Sequence, residues 1–341
     1  MVKKFYQPLA VVSLFALAAC SGGTLSSAVP NSQGSTAQSA QSRAVLDQSS
    51  SQSDGAVVYN SIPSPIGPMP SEAFEATQTS EWGDGVNLSG TGRLATVSVV
   101  MDSWACETGD GNTSPPSPNA CVTTPGKTFT WPITMNVYAV CAPGTCGAHP
   151  NSGVGALLAT QTKSFAIPYR PSAASTARCP DNNGQFYSAL ASQDPPPAHC
   201  VHGLVNVITF DKLVRQPGAP LNLPSQAIFT VAFNTADYGV NPTHTPGPYN
   251  SLNVGAWGSG GATGKPSIGT ALDPNGTFYS TVTPGWYCDG GASGTGFLRL
   301  DTGPNCWTGY HPQLRVTVTN GENGDNGGRG DKEPKPRGHE D

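Results

Sequence analysis

The sequence is poor in charge and has no long apolar run. Only 11% of its 341 residues are Asp, Glu, Lys or Arg, and the formal net charge is −5. A chain with this balance has no basic surface to neutralise phosphates, so we predict that it binds no nucleic acid. The most apolar stretch, Leu9–Ala19, has about eleven residues, which is too few for a helix to span a bilayer.

Glycine and proline are plentiful instead. The 41 glycines and 32 prolines disfavour long helices and favour short strands joined by turns. Alternating apolar residues predict strands at 94–101, 133–140, 204–210, 227–233 and 314–319, and more weakly at 157–162, 164–167, 251–256, 277–281 and 297–301. Because no convincing amphipathic helix separates them, these strands should pair antiparallel. We predict an all-β, jelly-roll-like antiparallel β-sandwich with disulfide-stapled loops and disordered flanks.

The amino terminus is typical of an export signal. Lys3 and Lys4 precede the apolar stretch, and Cys20 follows it. Residues 17–20, Leu-Ala-Ala-Cys, resemble the bacterial lipobox, in which cleavage leaves the cysteine as an acylated amino terminus. The resemblance implies lipidation of Cys20, whose acyl chains would hold the exported protein on the cell membrane or outer membrane. An ordinary secretory signal that contains a cysteine is the alternative.

Composition divides the chain into four parts. Residues 1–19 are the predicted lipoprotein signal peptide, and residues 20–56 are the lipidated cysteine with a flexible tether rich in Ser, Gln and Ala. Residues 57–319 hold the apolar periodicity and form the predicted β-sandwich domain. Residues 320–341 are a charged tail without large apolar side chains, which we expect to be disordered.

The nine cysteines fit an exported protein. Assigning Cys20 to lipid leaves eight, an even number that favours disulfides in an oxidising compartment. Eight cysteines allow 105 connectivities. Their closeness in sequence favours four local pairs: Cys106 with Cys121, Cys141 with Cys146, Cys179 with Cys200, and Cys288 with Cys306.

Several longer stretches resemble an uncharacterised family of exported bacterial β-sandwich proteins. They are YNSIPSPIGPMPSEAFEATQTSEWGDGVNLSGTGR, SFAIPYRPSA, GPYNSLNVG, and STVTPGWYCDGG with GFLRLDTG, which span most of residues 59–303. The resemblance implies the fold and a place at the cell envelope. It implies no established activity.

An aromatic cluster provides a candidate ligand site. The predicted Cys288–Cys306 bridge would bring together aromatic residues that could cover the apolar face of a sugar, with Asp289 bonding its hydroxyls. The predicted ligand-binding residues are Trp286, Tyr287, Asp289, Trp307 and Tyr310. The alternative is that these rings pack over the disulfide and close one end of the sandwich.

Signals for catalysis, cofactors and metals are weak. Paired carboxylates, Glu81 with Asp84 or Asp289 with Asp301, would suit glycoside hydrolysis if they faced one cleft. The histidines lie in loop-like sequence, and we expect most of them at the surface; they are His149, His199, His202, His244 and His311. No spacing matches a zinc site, so we predict no metal and no cofactor.

These observations favour a lipid-anchored envelope protein with a binding or structural role. Its expected partners are the membrane, through the lipid on Cys20, and an extracellular glycan. The alternatives are an extracellular hydrolase acting on a polysaccharide or another polymer, and an envelope protein without a small ligand.

Overall fold

The structure is a computed structural model. It describes residues 55–66, 69–77, 79–180, 184–188, 200–215, 218–234, 252–258, 265–281, 296–301 and 309–319. The predicted signal peptide, tether and charged tail lie outside the described residues, apart from residues 55 and 56 of the tether. The anchor at Cys20 and the Cys288–Cys306 bridge also fall outside them.

The regular secondary structure of the described residues is nearly all strand, as the alternating pattern predicts. In chain order the elements are β1 (Ala56–Asn60), β2 (Ser71–Ala73), a helical turn α1 (Phe74–Thr77), β3 (Thr79–Asn87), β4 (Gly92–Ser103), β5 (Thr128–Val140), β6 (Val154–Pro168), β7 (Phe186–Tyr187), β8 (Cys200–Val201), β9 (Leu204–Phe210), β10 (Asn222–Leu223), β11 (Gln226–Ala232), β12 (Leu252–Gly258), β13 (Thr270–Ala271), β14 (Thr277–Thr281), β15 (Arg299–Asp301), β16 (Tyr310–Pro312) and β17 (Leu314–Thr319). No helix in this part of the chain is long and apolar enough to cross a membrane.

Two large antiparallel sheets form the domain. The first sheet has the order β1-β17-β4-β12-β16, with β9 and β10 also paired to β4 and β2 paired to β12. The second sheet has the order β15-β14-β3-β11-β5-β6, with β13 paired to β3, and β7 and β8 form a separate ribbon. Strands that neighbour each other in a sheet are mostly distant in sequence. This confirms the predicted all-β, antiparallel fold.

The core is made by alternate residues of facing strands. In β4 the core-facing residues are Val97, Val99 and Met101, and in β11 they are Phe229 and Val231. This period of two is what a strand with one buried face requires. The residues between them point to the other face of each sheet, which is mixed: Ser98 and Thr230 are polar, whereas Val100 packs in a second apolar cluster with Ile62 and Met69.

Two differences from the predicted strands bear on the cleft described below. The weak candidates at 157–162 and 164–167 are parts of one 15-residue strand, β6, which pairs with β5 along its length. Strand β3 was not predicted, because glycines and acids interrupt its apolar pattern. It nevertheless lies inside the second sheet, between β14 and β11.

Three of the four predicted disulfides are confirmed. Sulfur–sulfur bonds join Cys106 to Cys121, Cys141 to Cys146, and Cys179 to Cys200. Disulfides are typical of proteins that fold in an oxidising compartment outside the cytoplasm.

Candidate functional site

Strand β3 sends its two acids to opposite faces of the second sheet. Trp82 and Val86 point into the core, and Asp84 lies on the same buried side. Glu81 is an odd number of residues away, so it lies on the outer face. The suggested catalytic pair of Glu81 and Asp84 is therefore wrong, because no single cleft holds both carboxylates.

Glu81 lies in a cleft over the outer face of the second sheet. Its volume is about 620 Å³, which is within the range of small-molecule sites, about 300–1,000 Å³. The floor is formed by outward side chains of β3, β5 and β14, and the wall by the loop 141–153 and residues 296–298. The lining residues are Ser80, Glu81, Tyr138, Cys146, Ala148, His149, Ser152, Val154, Gly155, Ser280, Thr281, Gly296, Phe297 and Leu298.

Three neutral donors hold one oxygen of the Glu81 carboxylate. Oε1 accepts hydrogen bonds from Asn136 Nδ2 at 2.9 Å, from the Tyr138 hydroxyl at 3.0 Å and from the Thr230 hydroxyl. Burial, and then the nearby Glu81 charge, raises the pKa of Tyr138 above its ordinary value, so its hydroxyl keeps its proton and donates. The carboxylate is thus fixed in direction before any ligand arrives.

A glycine makes room for one of these donors. Thr230 lies opposite Gly83 in the pairing of β11 with β3. A Cβ at Gly83 would come within 2.4 Å of Thr230 Cγ2 and 2.3 Å of the Phe229 carbonyl oxygen. Because Gly83 has no side chain, Thr230 can lie over the strand and reach Glu81.

Hydroxyl groups line the floor beside Glu81. Ser80 Oγ donates to the carbonyl oxygen of Ser280 and contacts its hydroxyl, both at 3.1 Å. Thr281 Oγ1 is buried and has no hydrogen-bond partner among the described residues. Because Thr281 Oγ1 is fully enclosed, the hydroxyls that a polar ligand would meet beside Glu81 are those of the serine pair.

The rim of the cleft is a loop held at several points. The Cys141–Cys146 bridge closes its first turn, and Cys141 N donates to Gly153 O at 3.2 Å. At its end, Leu300 N on β15 donates to Ser152 O at 2.7 Å. The loop carries His149, whose ring stacks on Phe297 with centroids 3.8 Å apart. The two flat rings form one side of the cleft.

A second polar cluster lies between the sheets. His311 Nδ1 is 3.0 Å from Asp84 Oδ1, and the two side chains are 0% and 1% exposed. The His311 ring also stacks on Trp257 and lies 3.3 Å from the carbonyl oxygen of Pro274. Burial lowers the pKa of His311, but the Asp84 carboxylate outweighs it, so the net direction is upward.

The burial of His311 corrects the expectation that this histidine lies at the surface, and it closes the Asp84–His311 pair to a ligand. His311 was expected at the surface, yet it lies in β16 and is enclosed by the core. Tyr59 donates to the far oxygen of Asp84 at 3.5 Å. Because substrate cannot reach this pair, it is a structural element and not an active site.

Another buried acid, Glu72, lies in a hydroxyl network. Its Oε1 accepts hydrogen bonds from Thr77 at 2.7 Å, from Thr79 at 2.8 Å and from Tyr279. Burial raises the pKa of Glu72 to about 7, although these hydrogen bonds lower it. Glu72 therefore titrates near neutral pH within the folded protein.

Of the predicted aromatic ligand site, only Tyr310 is among the described residues. Tyr310 lies on β16 opposite Gly258, is half-buried, and packs against the main core. Asp301, suggested as a catalytic partner, is buried at the end of β15. The remaining residues of the aromatic site and of the suggested Asp289–Asp301 pair lie outside the described residues; they are Trp286, Tyr287, Asp289 and Trp307.

Comparisons with known proteins do not extend this description. No protein-family model, curated protein or solved structure matches the chain. The resemblance to exported β-sandwich proteins thus stays a prediction. Within the described ranges, no group of three or more His, Cys, Asp or Glu side chains is arranged to hold a metal ion.

Proposed function

We propose that the protein is an exported lipoprotein whose cleft binds an extracellular glycan. The observation that carries this proposal is the arrangement around Glu81: a fixed carboxylate, serine hydroxyls and a stacked pair of rings in one cleft. Sugars present hydroxyls at their edges and apolar C–H faces, so a site of this composition suits them.

Export and anchoring rest on different observations. The three disulfides support folding outside the cytoplasm. The lipobox-like residues 17–20 support acylation of Cys20, which would hold the domain at the envelope surface. Replacing Cys20 by Ser should abolish incorporation of labelled palmitate and release the protein from membranes. Continued membrane retention of Cys20→Ser would refute the anchor.

Binding is favoured over hydrolysis by the number of acids. A glycosidase of the usual kind needs two carboxyl groups about 5–9.5 Å apart across the scissile bond. Glu81 is the one acid among the described lining residues, and Asp84 faces the other side of the sheet. The described part of the cleft therefore supplies half of that machinery.

Glycan-array binding tests the proposed function. Full-length protein in detergent micelles should bind a limited set of glycans, and Glu81→Gln should weaken that binding while thermal unfolding stays cooperative. Glu107→Gln is the matched control, because Glu107 bonds the backbone of Thr124 away from the cleft. Absence of binding to a broad array would overturn the proposal. Binding that ignores Glu81→Gln but is lost in Trp286→Ala with Trp307→Ala would move the site to the predicted aromatic surface.

A further inference from the structure

We infer that the ligand of this cleft is an amino sugar with a free, protonated amine, which pairs with the second carboxylate oxygen of Glu81. The inference rests on the proposed glycan-binding function and adds the charge of the ligand. It is drawn from how the Glu81 carboxylate is held and from the charges around it.

The two oxygens of Glu81 are used unequally. All three donors, Asn136, Tyr138 and Thr230, bond to Oε1. Oε2 accepts no hydrogen bond from the described residues. An ionised carboxylate has about four acceptor positions on its two oxygens, so one oxygen is saturated and the other is free to accept from a ligand.

The charge of Glu81 has no protein counterion in the described structure. Its three donors are neutral, and Glu81 forms no ion pair with any described residue. Lys and Arg are absent from the described lining of the cleft. A carboxylate in a partly enclosed site interacts with a cation more strongly than one in open water, because the local dielectric is lower. An ammonium group would be attracted here, and a uronic acid or sulfated sugar would be repelled.

The surroundings select a sugar amine over a bare cation. One carboxylate with a few hydroxyls does not make a metal site, since hard cations such as Ca²⁺ take six to eight oxygen ligands. The hydroxyls of Ser80 and Ser280, beside Glu81 on the cleft floor, offer hydrogen bonds to ring hydroxyls. The stacked pair of His149 and Phe297 lines one side of the cleft and offers ring surface to the apolar face of a sugar. An amine on a hydroxylated ring uses all three features together.

Two oligosaccharides that differ only in acetylation test the inference. Isothermal titration of the full-length protein in detergent, at about pH 6, compares glucosamine oligomers with N-acetylglucosamine oligomers of equal length; an ordinary amine is protonated at that pH. The glucosamine oligomer should bind at least about tenfold more tightly, because a hydrogen bond between charged groups is worth more than a neutral one. Added salt should reduce the ratio.

Variants at Glu81 assign the preference to that residue. Glu81→Gln should bring the two affinities within about twofold, since it keeps the shape and removes the charge. Glu81→Asp should keep the preference, and Glu107→Gln should leave it unchanged. Thermal unfolding of each variant checks that the domain is folded.

The outcomes separate this inference from the proposed function. Equal or tighter binding of the acetylated oligomer, or a ratio that survives Glu81→Gln, would overturn the amine while leaving glycan binding intact. Binding of some other neutral glycan, without binding of glucosamine oligomers, would also overturn the amine and leave glycan binding intact. If no glycan binds at all, the proposed function fails with it.

Discussion

Strand β3 carries two acids three residues apart that serve opposite purposes. Asp84 faces inward and lies 3.0 Å from buried His311, whose pKa the Asp84 carboxylate raises, which favours the charged imidazolium. Glu81 faces outward into a cleft and is held by neutral donors that orient it without neutralising it. A buried acid without a partner would cost several kcal/mol, so Asp84 needs His311. Glu81 can stay unpaired because water reaches it, and that leaves its charge available to a ligand.

The inner pair should be the more costly one to break. Replacing His311 by Leu leaves the Asp84 carboxylate buried without its partner, so we expect a loss of about 3–5 kcal/mol in the free energy of unfolding. Urea denaturation of wild type and variant measures this. The double variant Asp84→Leu with His311→Leu should lose less than the single one, because it leaves no unpaired charge. A loss below about 1 kcal/mol in His311→Leu would mean that the pair is not a structural element.

The buried carboxyl of Glu72 is held by hydroxyl groups, whereas that of Asp84 lies beside a histidine. Its folded pKa of about 7 lies above the ordinary value of 4.5, so the folded state binds an extra proton between those values. This contribution to stability is complete below about pH 4.5 and is lost as pH rises through about 7, a change of about 3 kcal/mol.

The stability difference between wild type and Glu72→Gln isolates this effect from other titrating groups. Urea midpoints at several pH values should show the wild type losing stability relative to Glu72→Gln as pH rises from about 4.5 to 7. Glu107→Gln should show no such loss, because the hydrogen bond from the Thr124 backbone lowers the pKa of Glu107, opposite to the shift of Glu72. A difference that stays constant across that range would mean that Glu72 does not carry the raised pKa.

The disulfide at the cleft rim should have a smaller effect on stability. The Cys141–Cys146 bridge has a sequence separation of 5, for which the chain-entropy model gives about 2 kcal/mol. Replacing both cysteines by Ser should lower the free energy of unfolding by about that amount and also weaken glycan binding, since the loop carries His149. The Cys106–Cys121 bridge lies away from the cleft, and its removal should lower stability without changing affinity. If removal of either bridge changed glycan affinity equally, the rim loop would not be part of the binding site.

The sequence predicts the strands that build the core between the sheets better than it predicts the cleft on the outer face. Strand β17 alternates apolar and polar residues clearly, and β4 and β9 are rich in β-branched residues, although apolar side chains lie on both of their faces. The three confirmed disulfides join cysteines that are close in sequence, so proximity alone was enough. The Asp84–His311 pair could not be predicted, since it joins residues 227 positions apart through the sheet pairing.

The cleft was missed for a related physical reason. Gly83 and Gly85 interrupt the apolar alternation of the segment TSEWGDGVN, although Trp82 and Val86 mark a buried face. Had that segment been taken as a strand, the alternation alone would have shown that Glu81 and Asp84 lie on opposite faces. The wall of the cleft comes from a loop and from residues 296–298, which only the tertiary fold brings to β3.

The smallest change in stability should come from the outer acid itself. Glu81→Gln keeps the Oε1 acceptor for Asn136, Tyr138 and Thr230, and its side chain is only partly buried, so we expect a change of about 1 kcal/mol or less in the free energy of unfolding. The same urea titration used for His311→Leu measures it. A loss as large as that of His311→Leu would show that the Glu81 charge stabilises the fold. The outer carboxylate would then be a structural acid like Asp84, and its unpaired charge would no longer point to a ligand.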